Sequence, residues 1–196
     1  MQNCIFSSHC TQTVCDKSCP TLAETTYLLE RNNISMRNEC FHTAPDILDR
    51  YDRIIDNAAG KVQTVISTNT IQTADIVTYV GICKYWRGSQ LHSTVYNLKY
   101  STYLDVIQKS WGASTDDSAE MMKIWASTAK LLIISGIDYV NFKEYQCQIL
   151  LSLLQSRSND SELGTIVVSP SVSSIVGTGP FFSRLTEILS KAVVKK

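Results

Sequence analysis

Two short, uninterrupted apolar runs constrain the fold of this chain most. They are KLLIIS at 130–135 and GTIVVSP at 164–170. Runs of this length without polar alternation are typical of strands that are buried on both faces, as in a parallel sheet covered by helices. Because such strands need a covering layer on each face, we predict an α/β protein.

Helical and strand patterns alternate around these two runs. Two more strands are predicted, KVQTVIS at 61–67 and STVYNLKY at 93–100. The segments between and after the strands have apolar residues at helical spacing: TADIVTYVGICKYW, STYLDVIQKSW, DDSAEMMKIWAST, KEYQCQILLSLLQSR and a last helix opened by Pro180. This alternation predicts one parallel sheet flanked by helices from about residue 60 onward.

The part of the chain before residue 60 has a different pattern. We predict a small cysteine-rich helical N-terminal extension at 1–59, followed by the α/β domain at 60–196. A capping-box pattern at Thr21 and Glu24 starts the first helix of the extension. The second helix begins near Pro45 and has apolar residues at helical spacing: Ile47, Leu48, Tyr51, Ile54, Ile55 and Ala58.

Composition limits the partners of the chain. Of its 196 residues, 44% are hydrophobic and 18% are charged, and the formal net charge is zero. This apolar content is enough for a core without disulfides. The balanced charge gives no overall attraction to nucleic acid or to an anionic membrane. The small charged fraction suggests that other subunits cover part of the surface, so we expect a homo- or hetero-oligomer.

Targeting signals are not apparent in the sequence. No apolar run approaches the roughly 18 residues that a membrane helix requires. The segment MQNCIFSSHC lacks the positive and apolar regions of a secretory signal. We therefore expect a cytoplasmic protein without membrane contact, whose thiols are kept reduced.

Four cysteines are clustered near the start of the chain: Cys4, Cys10, Cys15 and Cys19. Under reducing conditions such a cluster predicts a metal site rather than disulfides. The C-x₂-C pair of small zinc knuckles is missing. The ending Cys15-x₃-Cys19-Pro20 matches the last part of the bacterial ferredoxin pattern. The prediction is therefore an iron–sulfur cluster, with 4Fe-4S favoured and zinc as the alternative.

A metal at this position is compatible with two functions. It can hold the loop before the first helix in one shape, because metal binding contributes directly to folding, and so form a docking head for a partner or nucleic acid. In the alternative function, the chain is a metal-dependent or redox enzyme that uses the cysteine cluster.

Three longer segments follow one another in an order that points to a family. KVQTVISTNTIQTADIVTYVGICKYW occupies the place of a strand, phosphate loop and first helix. KLLIISGIDYVNFKEYQCQILLSLLQSR resembles a second nucleotide motif, and GTIVVSPSVSSIVGTGPFFSRL a sensor strand with a terminal arginine. From about 60 to 190 the chain thus resembles the bacterial helicase-loader ATPases of the AAA+ class. This resemblance implies a P-loop, AAA+-like core that acts in replication of a chromosome or mobile element. Its implied partners are a helicase or other AAA+ subunits, with DNA as a further contact.

The resemblance also implies positions for nucleotide binding. Thr70 and Thr73 lie in the phosphate-loop region, with Thr73 in the place of the hydroxyl that holds Mg²⁺. Asp138 follows the second motif, and Ser169 ends the sensor strand. Arg184 in FFSRL is the counterpart of the arginine that reaches the nucleotide of a neighbouring subunit.

The nucleotide motifs are degenerate. Residues 67–73 contain neither glycine nor lysine, and Ser135 stands in the place of the carboxylate that organises Mg²⁺. These groups supply most of the electrostatic stabilisation of phosphoryl transfer. We therefore expect a non-catalytic or weakly catalytic relative, not an efficient ATPase, and ATP binding itself stays open. The alternative interpretation of this stretch is an ordinary polar loop in which Thr73 is the helix N-cap.

Overall fold

The computed structural model describes residues 20–34, 45–85, 95–111 and 117–194. Its helices are α1 (Pro20–Arg31), α2 (Pro45–Asp56), α3 (Thr70–Tyr85), α4 (Tyr100–Ser110), α5 (Asp117–Thr128), α6 (Glu144–Ser158) and α7 (Pro180–Lys191). Its strands are β1 (Val62–Ile66), β2 (Val95–Lys99), β3 (Leu131–Ser135), β4 (Asn141–Phe142), β5 (Gly164–Ser169) and β6 (Val176–Gly177). Within these ranges, no helix is both long and apolar enough to cross a membrane.

The main sheet is parallel, and its strand order is β1-β5-β3-β2. Every residue of β3 and β5 is buried, which confirms the prediction from the two apolar runs. The two-residue strands β4 and β6 form a separate parallel pair. They were not predicted, because two residues are too few to show an alternating pattern.

Alternate residues of the central strands enter two hydrophobic clusters on opposite faces of the sheet. Leu132 of β3 and Val167 of β5 belong to the cluster that α4, α5, α6 and α7 cover. Ile133 of β3 belongs to the opposite cluster, which includes Leu29 of α1 and Ile55 of α2. Residues on both sides of the predicted boundary at 60 therefore share this second core.

α1 ends in a turn that brings its last residues over the free edge of β2. Asn33 has φ 57°, and the Ile34 N–H donates to the Leu29 carbonyl at 2.8 Å, as in a Schellman motif. The side chain of Asn32, which is 2% exposed, accepts a hydrogen bond from the Asn97 N–H of β2 at 2.7 Å. α1 thereby satisfies an edge group that would otherwise be open to another strand.

The opposite edge of the sheet is partly paired by the residues after α7. Val193 forms a parallel bridge with Thr64 of β1. The Thr64 N–H donates to the Ala192 carbonyl at 2.8 Å, and the Val194 N–H donates to the Thr64 carbonyl at 2.9 Å. This edge is therefore extended by backbone pairing, whereas the β2 edge is closed by a side chain.

Two apolar positions of the predicted helices lie at the surface. Helical spacing predicts Ile47 among the core residues of α2, and in the segment STYLDVIQKSW it predicts Trp111 on one side with Leu104 and Ile107. In the structure Ile47 is 39% exposed and Trp111 is 64% exposed. Both lie at a helix end, Ile47 in the first turn of α2 and Trp111 just after α4. A residue there has no neighbouring turn beyond it to complete its burial.

Arg157 on α6 bonds to groups at the amino ends of the strands, which are called here the amino edge of the sheet. It is 1% exposed, and its guanidinium donates to four backbone carbonyls and one hydroxyl. The acceptors are the carbonyls of Ala126, Ser127, Ala129 and Gly164 and the Thr165 hydroxyl, at 2.6–3.2 Å. Burial lowers the pKa of Arg157 to about 10, so the side chain stays charged at neutral pH. It joins the end of α5 to the start of β5.

Candidate functional site

Most of the residues predicted to bind nucleotide lie at the carboxyl ends of the parallel strands, which are called here the carboxyl edge of the sheet. Ser67 follows β1, Asp138 follows β3, and Ser169 is the last residue of β5. Because the strands are parallel, these residues lie at one edge, and Thr70 and Thr73 join them at the start of α3. In open α/β sheets this edge is where ligands bind.

The connection from β1 to α3 is a turn of three residues, 67–69. Asn69 caps the helix: its Oδ1 accepts from the Gln72 N–H at 3.1 Å, and its Nδ2 donates to Gln72 Oε1 at 3.0 Å. The Thr73 N–H already donates to the Asn69 carbonyl at 3.0 Å. The interpretation of Thr73 as N-cap is therefore wrong, because the helix begins one turn earlier.

The hydroxyl predicted to hold Mg²⁺ is engaged inside the protein. Thr73 Oγ1 lies 2.7 Å from Ser67 Oγ in a hydrogen bond that closes the turn. Thr73 is 6% exposed, and Thr70 is also buried. A phosphate loop instead presents a concave ring of free backbone N–H groups to the anion. In this turn, the hydrogen bond between the Ser67 and Thr73 side chains occupies the place of that ring.

Ser169 is tied to the same turn. The Ser67 N–H donates to the Ser169 carbonyl at 2.9 Å, and the Ser169 hydroxyl donates to the Ser171 carbonyl at 2.9 Å. Ser169 is fully buried. Ser67 thus brings together two of the predicted residues, Thr73 and Ser169, although it was itself named only as part of the loop.

Asp138 lies in a short 3-10 turn after β3. Gly136, with φ 72°, has the left-handed conformation that leads the chain into this turn. Asp138 Oδ1 is buried, and no hydrogen-bond donor contacts it within the described part of the chain. Ser135, in the place of the expected carboxylate, is buried at the end of β3. The fold therefore leaves one carboxylate oxygen of Asp138 without a donor among the described residues.

Arg184 lies on the exposed side of α7, next to the buried Leu185. It does not take part in the hydrogen bonds around Ser67. An arginine that reaches a neighbouring subunit has to be exposed, so the position suits that role. The role itself stays a prediction.

Large apolar side chains are also exposed on the segments that leave this edge. Ile71 in the first turn of α3 is 46% exposed, Tyr139 after β3 is 69% exposed, and Val176 after β5 is 58% exposed. The sequence did not single them out, because a single apolar residue at the start of an element or in a short turn shows no period. The edge therefore combines internally bonded hydroxyls with apolar side chains that face outward.

The predicted metal ligands Cys4, Cys10, Cys15 and Cys19 lie outside the described residues. Within the described ranges, no group of three or more His, Cys, Asp or Glu side chains could hold a metal ion. The metal site at the cysteines stays a prediction.

Comparison with known proteins gives matches only at the level of structure. No protein-family model matches the sequence, and no curated protein matches it significantly. The structure is similar to the crystal structure of a DNA replication initiation factor, with a TM-score of 0.56 and 11% identity over 74% of this chain. It is also similar to the replication initiator DnaA bound to AMPPCP and single-stranded DNA, with a TM-score of 0.54 and 11% identity over 91% of this chain.

The chain spans about half the length of these solved structures, 43% of the first and 50% of the second. At this identity the similarity concerns the fold. The described residues have the fold of these replication initiators, and this confirms the α/β core, a parallel sheet flanked by helices, that the sequence predicted.

Proposed function

We propose that this protein acts in DNA replication through contacts with other proteins and does not hydrolyse ATP efficiently. The observation that carries the proposal is the closed turn between β1 and α3, where the Thr73 hydroxyl is bonded to Ser67 at 2.7 Å. A nucleotide would have to break this bond and rebuild the turn before its phosphates could approach the backbone.

The chemistry of phosphoryl transfer supports the same conclusion. A positively charged lysine and a metal-binding carboxylate are both absent from the expected positions, and Ser135 in one of them is buried. Removing a single preorganised electrostatic group typically lowers kcat by about 10²–10³-fold. Without either group, positioning alone would leave a very slow reaction.

The exposed residues at the carboxyl edge support a role in protein contacts. Ile71, Tyr139 and Val176 expose apolar surface on the segments that leave this edge, and such surface suits contact with another protein. A helicase or another AAA+ subunit is the proposed partner, because the fold is that of replication initiators. Single-stranded DNA is the further ligand to test, because one of the similar structures was solved with it.

The nucleotide part of the proposal is tested by calorimetric titration with AMPPCP and Mg²⁺. We expect no saturable binding below about millimolar nucleotide, and no ATP turnover above background. Thr73→Ala serves as the matched variant, because it opens the turn without adding a charge. Binding with Mg²⁺ dependence that Thr73→Ala abolishes would show that the turn is a working nucleotide site.

The contact part is tested with the triple variant Ile71→Ser, Tyr139→Ser and Val176→Ser. We expect it to lose binding to a replicative helicase in a pull-down with purified proteins while its thermal unfolding is unchanged. The binding of labelled single-stranded DNA is followed separately by fluorescence anisotropy at two salt concentrations, because contacts with phosphates weaken with salt. If the wild-type protein bound neither the helicase nor DNA, the proposed role in replication would be wrong.

The proposal includes a metal centre at Cys4, Cys10, Cys15 and Cys19, for which the support is their spacing in the sequence. Four thiolates suit an iron–sulfur cluster or zinc. Anaerobic purification, metal and sulfide analysis and a visible spectrum test this part. About four iron and four sulfide ions per chain would support 4Fe-4S. Zinc alone would support the alternative, and a metal-free folded protein would exclude both.

A further inference from the structure

A groove between α4, α5 and α6 has the features of a binding site that nucleotide chemistry does not use. Its volume is about 620 Å³, and it opens to solvent. Aliphatic side chains from all three helices form one part of its lining: Ile107, Ile124, Ile149 and Leu153. The rest of the lining contains three aromatic residues and one carboxylate, Tyr103, Trp111, Tyr145 and Glu120.

Two of the aromatic rings form a corner. The ring centroids of Trp111 and Tyr145 are 5.6 Å apart, and the ring planes are inclined by 61°. The Gln108 side-chain amide donates a hydrogen bond to the Tyr145 hydroxyl, which holds this ring in place. Trp111 is 64% exposed, so its ring surface is accessible to a ligand. The corner is therefore formed before any ligand arrives.

The groove lining also contains two charged side chains, Glu120 and Lys123. Glu120 lines the groove with Tyr103, and burial together with the nearby Glu120 raises the pKa of the Tyr103 hydroxyl. Lys123 Nζ lies 3.5 Å from the Glu120 carboxylate, and both side chains are well exposed. An exposed pair of this kind is weak, so another cation can displace the lysine.

Aromatic faces combined with a carboxylate select for organic cations, because the ring faces are negative and attract a positive charge within about 6 Å of the ring centroid. A neutral apolar ligand would use the rings but would gain nothing from Glu120. A phosphate-bearing ligand would have to take Lys123 away from Glu120 and would then face that carboxylate unpaired. The aliphatic part of the lining can hold the carbon chain that carries the cation.

We propose that this groove binds an alkylammonium group, a quaternary or methylated amine on a short aliphatic chain, with Trp111 and Tyr145 as aromatic walls and Glu120 as counter-ion. The groove lining contains none of the residues predicted to bind nucleotide, and the proposal does not depend on the role in replication.

The first test compares choline with 3,3-dimethylbutan-1-ol, which has the same shape without the charge. Binding is followed through the indole N–H signal of Trp111 in NMR spectra of the ¹⁵N-labelled protein, with Trp111→Leu to assign the signal. We expect choline to bind at least about fivefold more tightly than the alcohol, the usual size of a cation–π contribution. Equal affinity, or no binding by choline at tens of millimolar, would overturn the proposal.

The second test uses two substitutions of opposite charge. Glu120→Gln removes the counter-ion and should weaken choline binding about fivefold, whereas Lys123→Gln removes the competing cation and should strengthen it. Met121→Gln, an exposed position of α5 outside the groove lining, is the matched control and should leave binding unchanged. Shifts in the same direction for Glu120→Gln and Lys123→Gln would show that charge does not govern binding.

The source of the cation is distinguished by titrating the trimethyllysine amide alongside choline. Tighter binding of the lysine derivative would assign the groove to a methylated side chain of a partner protein. Tighter binding of choline would assign it to a free amine.

Discussion

The two ends of the parallel strands use their polar groups in opposite ways. At the amino edge, Arg157 is buried and every donor of its guanidinium has an acceptor. At the carboxyl edge, Ser67 and Thr73 bond to each other, whereas Asp138 has a buried oxygen without a donor among the described residues. The amino edge is thus optimised for stability, and the carboxyl edge retains a group that stability does not explain. A polar group that does not contribute to stability is a candidate for a functional role.

The largest effect is expected at the amino edge. Arg157→Met should lower the free energy of unfolding by about 4 kcal/mol, because it leaves four carbonyls and the Thr165 hydroxyl without a buried donor. Urea denaturation measures the loss. Arg184→Met, on the exposed side of α7, is the matched control and should change stability by less than about 0.5 kcal/mol. A loss below about 1 kcal/mol in Arg157→Met would remove the contrast between the two edges.

At the carboxyl edge, Thr73→Val should lower the free energy of unfolding by about 1 kcal/mol, the usual value of one hydrogen bond. Valine keeps the shape of threonine, so the change isolates the bond to Ser67. Thr128→Val on α5 removes an exposed hydroxyl bond to the Ile124 carbonyl and should cost less when both are measured by urea denaturation. Equal losses would mean that the Ser67–Thr73 bond stabilises the fold no more than an exposed helix bond does.

Asp75 on α3 allows the stability of the protein to be tested by changing the pH. Burial raises its pKa to about 6 from an ordinary value of 3.8, while Lys99 and the hydrogen bond from Asn97 oppose this rise. Since the folded pKa is the higher one, the contribution of Asp75 to stability is complete below about pH 4 and is lost as the pH rises through 6.

Asp75→Asn should therefore stabilise the protein at pH 7, by somewhat less than about 1 kcal/mol after allowing for solvent screening. The gain should vanish below about pH 4. Thermal unfolding of both proteins from pH 4 to pH 7 measures the difference. A gain that does not depend on pH would show that ionisation of Asp75 is not its cause.

The smallest effect is expected for Asp138→Asn. Because no described donor bonds to Asp138 Oδ1, the substitution should change the free energy of unfolding by less than about 0.5 kcal/mol. Urea denaturation measures it together with Arg157→Met. A loss above 1 kcal/mol would reveal a structural role and make the carboxyl edge resemble the amino edge.

The sequence predicted those features that depend on continuous burial. KLLIIS and GTIVVS became β3 and β5 because a strand that is apolar on both faces has one stable environment, the centre of a covered sheet. The start of α3 was misplaced because residues 67–73 are polar except for Ile71, and a single apolar residue shows no helical period. Only the paired bonds between Asn69 and Gln72 reveal where the helix begins.

The sequence could not predict the role of Arg157. An arginine in an amphipathic helix ordinarily lies in solvent, and the carbonyls that it contacts at the end of α5 are about thirty residues away in the chain. The groove was hidden for a similar reason. Trp111 follows α4, Glu120 lies on α5 and Tyr145 lies on α6, so their presence in one lining depends on how those helices pack.

The outer strands of the sheet, β1 and β2, are closed in different ways. This difference limits how copies of this protein can associate by pairing their strands. A sheet that is open on both sides can add strands from one molecule to the next without end and grow into a fibre. Here the side chain of Asn32 occupies donor and acceptor groups on the β2 side. On the β1 side, Ala192 and Val194 already bond to Thr64, so another copy can pair only with the rest of that strand. Pairing through this side alone joins one copy to another and then stops, so misassembly by this route would end at a dimer.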